Sequence, residues 1–171
     1  MRHPLLTLLI ASATLSAALP PPLTSFLLVT TTQLDPSANS SDLKAVSATS
    51  LFDPFNQPAL LLRLTGPGYT SLPTFNLTSG TLSTLARAPF GGGQQIYNST
   101  LVAAGQQLQF LASVQPAGNL ALDDGYLLTV GGEREGWMVC EGALENDVLV
   151  WRGNGTGCRA CYVHAVKGAP Y

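Results

Sequence analysis

Three cysteines, one histidine and two tryptophans crowd the last third of this chain, and their chemistry needs an explanation first. Cys158 and Cys161 have the C-x-x-C spacing, with Cys140 upstream and His164 downstream. That spacing serves three chemistries: a redox dithiol, a zinc site and a structural bridge. A redox pair of the thioredoxin type opens a helix, whereas this pair enters an alternating apolar stretch. Zinc needs four ligands, and Cys140, Cys158, Cys161 and His164 make a set if the fold brings the first to the others. The reading taken is a structural bridge, with no metal and no cofactor. Cys140–Cys158 is the first pairing and Cys140–Cys161 the second, either one leaving a thiol over. Closing a loop of that size stabilises by about 3 kcal/mol in the chain-entropy model.

Trp137 and Trp151 could stack on sugar rings, because an aromatic face suits the apolar side of a pyranose. Both lie in apolar runs, Trp137-Met138-Val139-Cys140 and Leu149-Val150-Trp151. Core packing is the preferred reading and sugar stacking the alternative. The acids Asp123, Asp124, Glu133, Glu135, Glu141, Glu145 and Asp147 also gather late in the chain. Two of them could flank a glycosidic bond as acid and base or nucleophile, but their positions in turns favour solvated charges. No G-x-S-x-G elbow is present, and a Ser–His mechanism would have to use His164, which sits on an alternating stretch with Tyr162 and Val166. The run Gly91-Gly92-Gly93 is followed by no lysine and is no phosphate loop. No catalytic residue is assigned.

The elements that must position these side chains read as strands. Short runs rich in Val, Leu, Thr and aromatics alternate with Gly, Pro, Asn and Asp, and no long amphipathic helix is apparent. Strands are expected at 25–33, 42–50, 59–65, 75–78, 81–85, 95–101, 107–114, 119–123, 126–130, 137–141, 148–152 and 160–166. Phe75-Asn76-Leu77-Thr78 alternates, so Phe75 and Leu77 should point inward with Asn76 and Thr78 outward. Ser79-Gly80 and Asp124-Gly125 are tight-turn signals, the second the stronger. The expected fold is all-β: an antiparallel sandwich or closed barrel of about ten strands.

The N-terminus carries an address. Arg2 and His3 precede the apolar run Leu5-Leu6-Thr7-Leu8-Leu9-Ile10, small residues follow to Ala18, and Pro20-Pro21-Pro22 closes the segment. This is the layout of a secretory signal peptide, and the apolar run is shorter than the roughly 20 residues of a membrane span. Residues 1–18 are read as the signal, cleaved after Ala18, and 19–171 as one secreted domain. Four N-x-[ST] acceptors follow: Asn39, Asn76, Asn98 and Asn154. Chance placement of the seven Asn and 29 Ser and Thr gives about one such triplet. Charged residues are 11% of the chain, against about 25% in typical domains, and glycans would supply the missing solvation. No basic stripe is present to track phosphates, so nucleic acid is excluded as a partner. No later segment reads as a transmembrane span, and the C-terminus lacks the apolar tail of a lipid-anchor signal.

The C-terminal third resembles a group of small secreted proteins of filamentous fungi, including phialide-type hyphal cell-wall proteins and the C-terminal domain of Pir-type cell-wall proteins. The resemblance rests on Gly118-Asn119-Leu120-Ala121-Leu122, Gly131-Gly132, Gly136-Trp137-Met138-Val139-Cys140, Val148-Leu149-Val150-Trp151 and the stretch from Cys158 to Val166. It implies an extracellular β domain with one bridge and no established catalytic residues. The Gln-containing repeats through which Pir proteins attach to glucan are missing here. The expectation is a non-catalytic secreted glycoprotein of the extracellular space or cell wall, whose partner is a wall polysaccharide or an extracellular protein.

Overall fold

The computed structural model describes residues 24–35, 44–49, 59–65, 72–88, 92–142 and 147–167. The signal segment and the expected cleavage point at Ala18 lie outside them, as do Asn39 and Glu145. The described residues form thirteen strands and no helix, so none is long and apolar enough to cross a membrane. The strands are β1 (Leu27–Thr31), β2 (Lys44–Thr49), β3 (Ala59–Thr65), β4 (Phe75–Thr78), β5 (Thr81–Arg87), β6 (Gln94–Ser99) and β7 (Gln109–Leu111). They continue with β8 (Leu120–Asp123), β9 (Leu127–Val130), β10 (Trp137–Glu141), β11 (Asp147–Trp151), β12 (Arg159–Ala160) and β13 (Tyr162–Val166).

Every ladder is antiparallel, and the main path runs β4-β5-β6-β7-β3-β2-β1-β13-β9-β8. β3 gives one edge to β2 and divides the other, pairing β7 through Ala59–Leu61 and β11 at Arg63. β10 lies between β11 and β12. Phe26 and Phe75 exchange two backbone hydrogen bonds, 3.0 and 2.7 Å, that tie the chain just before β1 to β4. This is a single residue pair rather than a ladder, and the expected alternative of a closed barrel is not formed among the described residues. The thirteen strands exceed the expected total of about ten and, by one, the twelve stretches read as strands. One reason is that the stretch read as a single strand at 160–166 divides at Cys161, where the chain leaves β10 for β1 and β9.

Both local turn signals mark turns in the structure, the second one residue longer than read. Ser79 and Gly80 (φ 49° and 75°) join β4 to β5, and Asp124 and Gly125 (φ 51° and 78°) join β8 to β9. Both residues of each pair are left-handed, as a primed turn requires; Ser79-Gly80 is a two-residue loop between paired Thr78 and Thr81, whereas Asp123 pairs with Leu127, so the second loop also takes in Tyr126. The first turn also fixes a long-range contact. Ser79 and Gly80 carbonyls accept from the Gly118 and Leu120 amides at 3.1 Å each. The two glycines meet so closely that a Cβ on Gly118 would lie 2.0 Å from the Gly80 carbonyl oxygen, and one on Gly80 would lie 2.3 Å from that of Gly118.

The alternating residues fill one large core. Phe26, Leu28, Phe75, Leu82, Tyr97, Phe110, Leu128, Trp137, Leu149 and Val163 belong to it. Phe75 and Phe110 meet with ring centroids 6.0 Å apart. On β4, Phe75 is buried and Leu77 partly so, while Asn76 and Thr78 are exposed, as the alternation predicts. β10 and β11 bury both faces: Trp137, Val139, Leu149 and Trp151 enter the large core, and Cys140, Val148 and Val150 form a second cluster with Met138 and Cys158.

The glycine contact yields a measurable expectation. Gly118→Ala forces backbone movement at the β4–β5 turn and should lower unfolding free energy by about 2 kcal/mol or more, read from urea denaturation. Gly125→Ala has no atom within 4 Å of the new Cβ, and should cost only the left-handed backbone penalty of about 1 kcal/mol. Equal losses would show that the Gly80–Gly118 approach is not what constrains position 118.

Candidate functional site

The cysteines are settled by β10 and the turn after β11. Cys140 ends the apolar part of β10, and the glycine-rich stretch Gly153-Asn154-Gly155-Thr156-Gly157 brings Cys158 back to it. Their sulfurs are bonded at 2.03 Å, with the Cα atoms 4.1 Å apart. Gly153 makes the approach feasible, since a Cβ there would sit 3.0 Å from the Cys140 sulfur and 3.3 Å from that of Cys158. The first of the two pairings is therefore the one observed. Cys161 is the free cysteine, and its amide donates to the Trp137 carbonyl at 2.9 Å. Its thiol is buried in the large core, and burial pushes its pKa up to about 12. A thiol so disfavoured as thiolate is neither a nucleophile nor a metal ligand near neutral pH. Among the described residues no three His, Cys, Asp or Glu side chains converge as a metal site.

The tryptophans correct the sugar-stacking alternative. Trp137 and Trp151 face each other across β10 and β11, 1% and 4% exposed, with ring centroids 5.2 Å apart and planes at 74°. The Trp137 indole N–H donates to the Leu128 carbonyl at 3.0 Å. Neither face is offered to a ligand. The Arg152 guanidinium carbon lies 5.7 Å from the Trp151 ring centroid. Gly136, at φ 135°, packs where a Cβ would be 2.8 Å from the Trp151 ring. The signal for burial was in the sequence, as each Trp sits in phase with other core residues of its strand.

The late acids are spread over the surface. Asp123 and Asp124 both pair with Arg134, the latter at 3.3 Å. Glu133 pairs with Arg152, and Asp147 with Arg159 at 3.4 Å. Glu135 accepts from the Tyr162 hydroxyl at 3.5 Å. Glu141 and Asp147 are cross-strand partners at the end of the β10–β11 hairpin, where directly opposed Cβ atoms lie about 4.5–5.5 Å apart. They stand side by side on one hairpin rather than facing each other across a gap.

His164 is 5% exposed, in register with Val29 of β1 and Leu127 of β9. The Tyr126 ring meets it edge-on with centroids 5.2 Å apart, and its Nε2 has no hydrogen-bond partner. Burial lowers its pKa from the ordinary 6.5, while a hydrogen bond with the Leu34 backbone and the Asp35 carboxylate act the other way. The neutral ring is the form this environment favours. His164 thus lies on β13 between β1 and β9, buried with one ring nitrogen unpartnered rather than fully satisfied.

Three of the four glycan acceptors are described. Asn76 is exposed on β4, and its Oδ1 accepts from the Ser25 amide at 2.8 Å. Asn98 is half-buried on β6 and donates from Nδ2 to the Ser113 carbonyl at 3.2 Å. Asn154 is exposed in the turn between β11 and β12. Ser83 of β5 pairs with Asn76 on one side and Asn98 on the other, so the two asparagines share one row and one face. Sequence reasoning found each acceptor but not this alignment, which depends on ladder register. No protein-family model, no curated protein and no solved structure matches the chain.

Two expectations follow from the buried groups. Native protein should leave Cys161 unreactive towards a thiol reagent and give one titratable thiol per chain once unfolded. Cys140→Ser with Cys158→Ser should cost about 3 kcal/mol by denaturation, and rapid native labelling of Cys161 would contradict its burial. For His164, the folded pKa lies below the unfolded 6.5, so the unfolded state binds more protons in that window and stability falls as pH drops below about 6.5. His164→Phe should flatten the stability profile between pH 7 and 5.5. A wild-type profile already flat there would refute the assignment.

Proposed function

We propose that the chain is a secreted, N-glycosylated, non-catalytic β-sandwich protein of the extracellular space or a fungal cell wall, with a structural or interaction role. The observation that carries this reading is the surface placement of the acceptors. Asn76 and Asn154 are exposed and Asn98 is half-exposed, although a strand places every second residue in the core. The Cys140–Cys158 bond supports the same compartment, because disulfides persist where the surroundings are oxidising. A sandwich is supported by the large core, which draws Phe75, Leu82, Tyr97 and Phe110 from β4–β7 and Leu128, Trp137, Leu149 and Val163 from β9–β13.

The resemblance to fungal wall-associated proteins suggests the setting, and the low charge suggests partners held by hydrogen bonding and shape. A wall polysaccharide and an extracellular protein both fit that chemistry. Trp137 and Trp151 are not the contact residues in either case.

The test is chemical. Expression in a eukaryotic secretory host should give a product beginning at Leu19, lighter after peptide-N-glycosidase treatment, with one disulfide. A product that keeps Met1 to Ala18, carries no sugar and contains three reduced thiols would overturn the proposal.

A further inference from the structure

The outer face of β5 and β6 carries two uncovered aliphatic side chains. Leu85 and Ile96 are 51% and 58% exposed and directly opposed in register. Two residues along the same face, Ser83 opposes Asn98, and Asn76 follows on β4. Residues two apart on a strand are separated by about 7 Å and share a face, so Asn98 stands beside Ile96 and diagonal to Leu85. Asn98 also heads the acceptor triplet Asn98-Ser99-Thr100.

The local bonding suits a linkage at that nitrogen. The Asn98 side-chain amide has two protons, and one is donated to the Ser113 carbonyl at 3.2 Å. An N-glycosidic bond replaces the other and leaves this hydrogen bond intact. The side chain is thus held in one orientation on the face it shares with the aliphatic pair. The next pair along, Arg87 and Gln94, is polar, so the apolar surface is bounded on both sides.

We propose that the N-linked glycan on Asn98 lies over Leu85 and Ile96 and covers them with the apolar C–H faces of its first sugar rings. This rests on the glycosylated reading above and names which acceptor shields which surface. The first two rings span the distance from Asn98 to both side chains. The glycan on Asn76, two strand spacings or about 10 Å from Asn98, covers the hydroxyl-rich edge of the same face instead. The linkage matters physically because exposed apolar pairs on a charge-poor surface favour self-association.

Glycopeptide mass spectrometry on the secreted protein comes first and should find Asn98 occupied. Thr100→Ala then removes the acceptor while leaving Asn98; the Thr100 amide still donates to the Gln109 carbonyl at 2.8 Å. This variant should raise the fluorescence of a naphthalene-sulfonate dye about threefold or more and produce dimers in sedimentation. Adding Leu85→Thr and Ile96→Thr should restore the wild-type signal. Thr78→Ala, which removes the Asn76 acceptor, should leave it near wild type, and Thr100→Ser should behave as wild type. Should Thr100→Ala fail to fold, enzymatic trimming of the folded wild type gives the same readout. Sugar at Asn76 or Asn154 but not Asn98 would overturn this inference alone, as would unchanged dye binding after loss of the Asn98 glycan. A glycosylated dimer broken by Leu85→Thr and Ile96→Thr would assign the patch to a second copy and also overturn it. Sugar at no asparagine would overturn the glycosylated reading itself.

Discussion

The packing of Trp137 against Trp151 is the constraint on which the C-terminal half depends. Their backbone and ring atoms tie five parts of the chain together. The Trp137 indole reaches Leu128 of β9, and its carbonyl receives the Cys161 amide. The Trp151 carbonyl receives the Gly105 amide at 2.7 Å, and the Arg152 amide returns to Gly136. Tilted aromatic pairs contribute about 0.5–1.5 kcal/mol beyond the area they bury, but the larger effect is geometric. With both rings inside, Met138 and Cys140 of β10 must face the other way. That face is where the disulfide forms and where Val148 and Val150 find partners. The bridge is therefore a consequence of the tryptophan packing as much as a cause of stability.

The charged residues serve the loops rather than the core. Arg134 reaches back to Asp123 and Asp124 at the β8–β9 turn, and Arg152 reaches Glu133. Such exposed pairs contribute little to folding. They hold the segment 131–136 near the turn it faces, so Gly136 enters at the angle that lets it pack on Trp151. A chain with few charges thus places several of them where a loop would otherwise be held by its glycines alone.

What was legible in the sequence was local. The alternation of Phe75-Asn76-Leu77-Thr78, the Asp124-Gly125 turn and the run Trp137–Glu141 each depend on neighbours within a few residues, and each is found where expected, the turn one residue longer. Partner exchange was hidden. The stretch 107–114 reads as one strand, yet β7 is Gln109–Leu111 and Gln107 makes a lone bridge to Val150. Cys161 likewise marks a change of partner inside what alternation presents as one strand. The cross-strand row Asn76–Ser83–Asn98 is set by two registers between segments with no spacing rule in common. The Gly80–Gly118 contact joins positions that look like two ordinary turn glycines.

The same register logic explains how the chain divides its surface. β9, β11 and β13 bury residues on both faces, so Leu127, Val148 and His164 are enclosed opposite the large core. β4, β5 and β6 bury one face and display the other. The groups with distinctive chemistry, namely the cysteines, the tryptophans and the histidine, fall mainly in the enclosed half. The displayed half offers amides, hydroxyls and one aliphatic pair. A surface of that composition can form hydrogen bonds but few ion pairs, and the spacing of its side chains is set by the register of each ladder. Substituting a residue of that row changes the displayed face alone, whereas substituting an enclosed residue acts first on the sheet that holds the row in register.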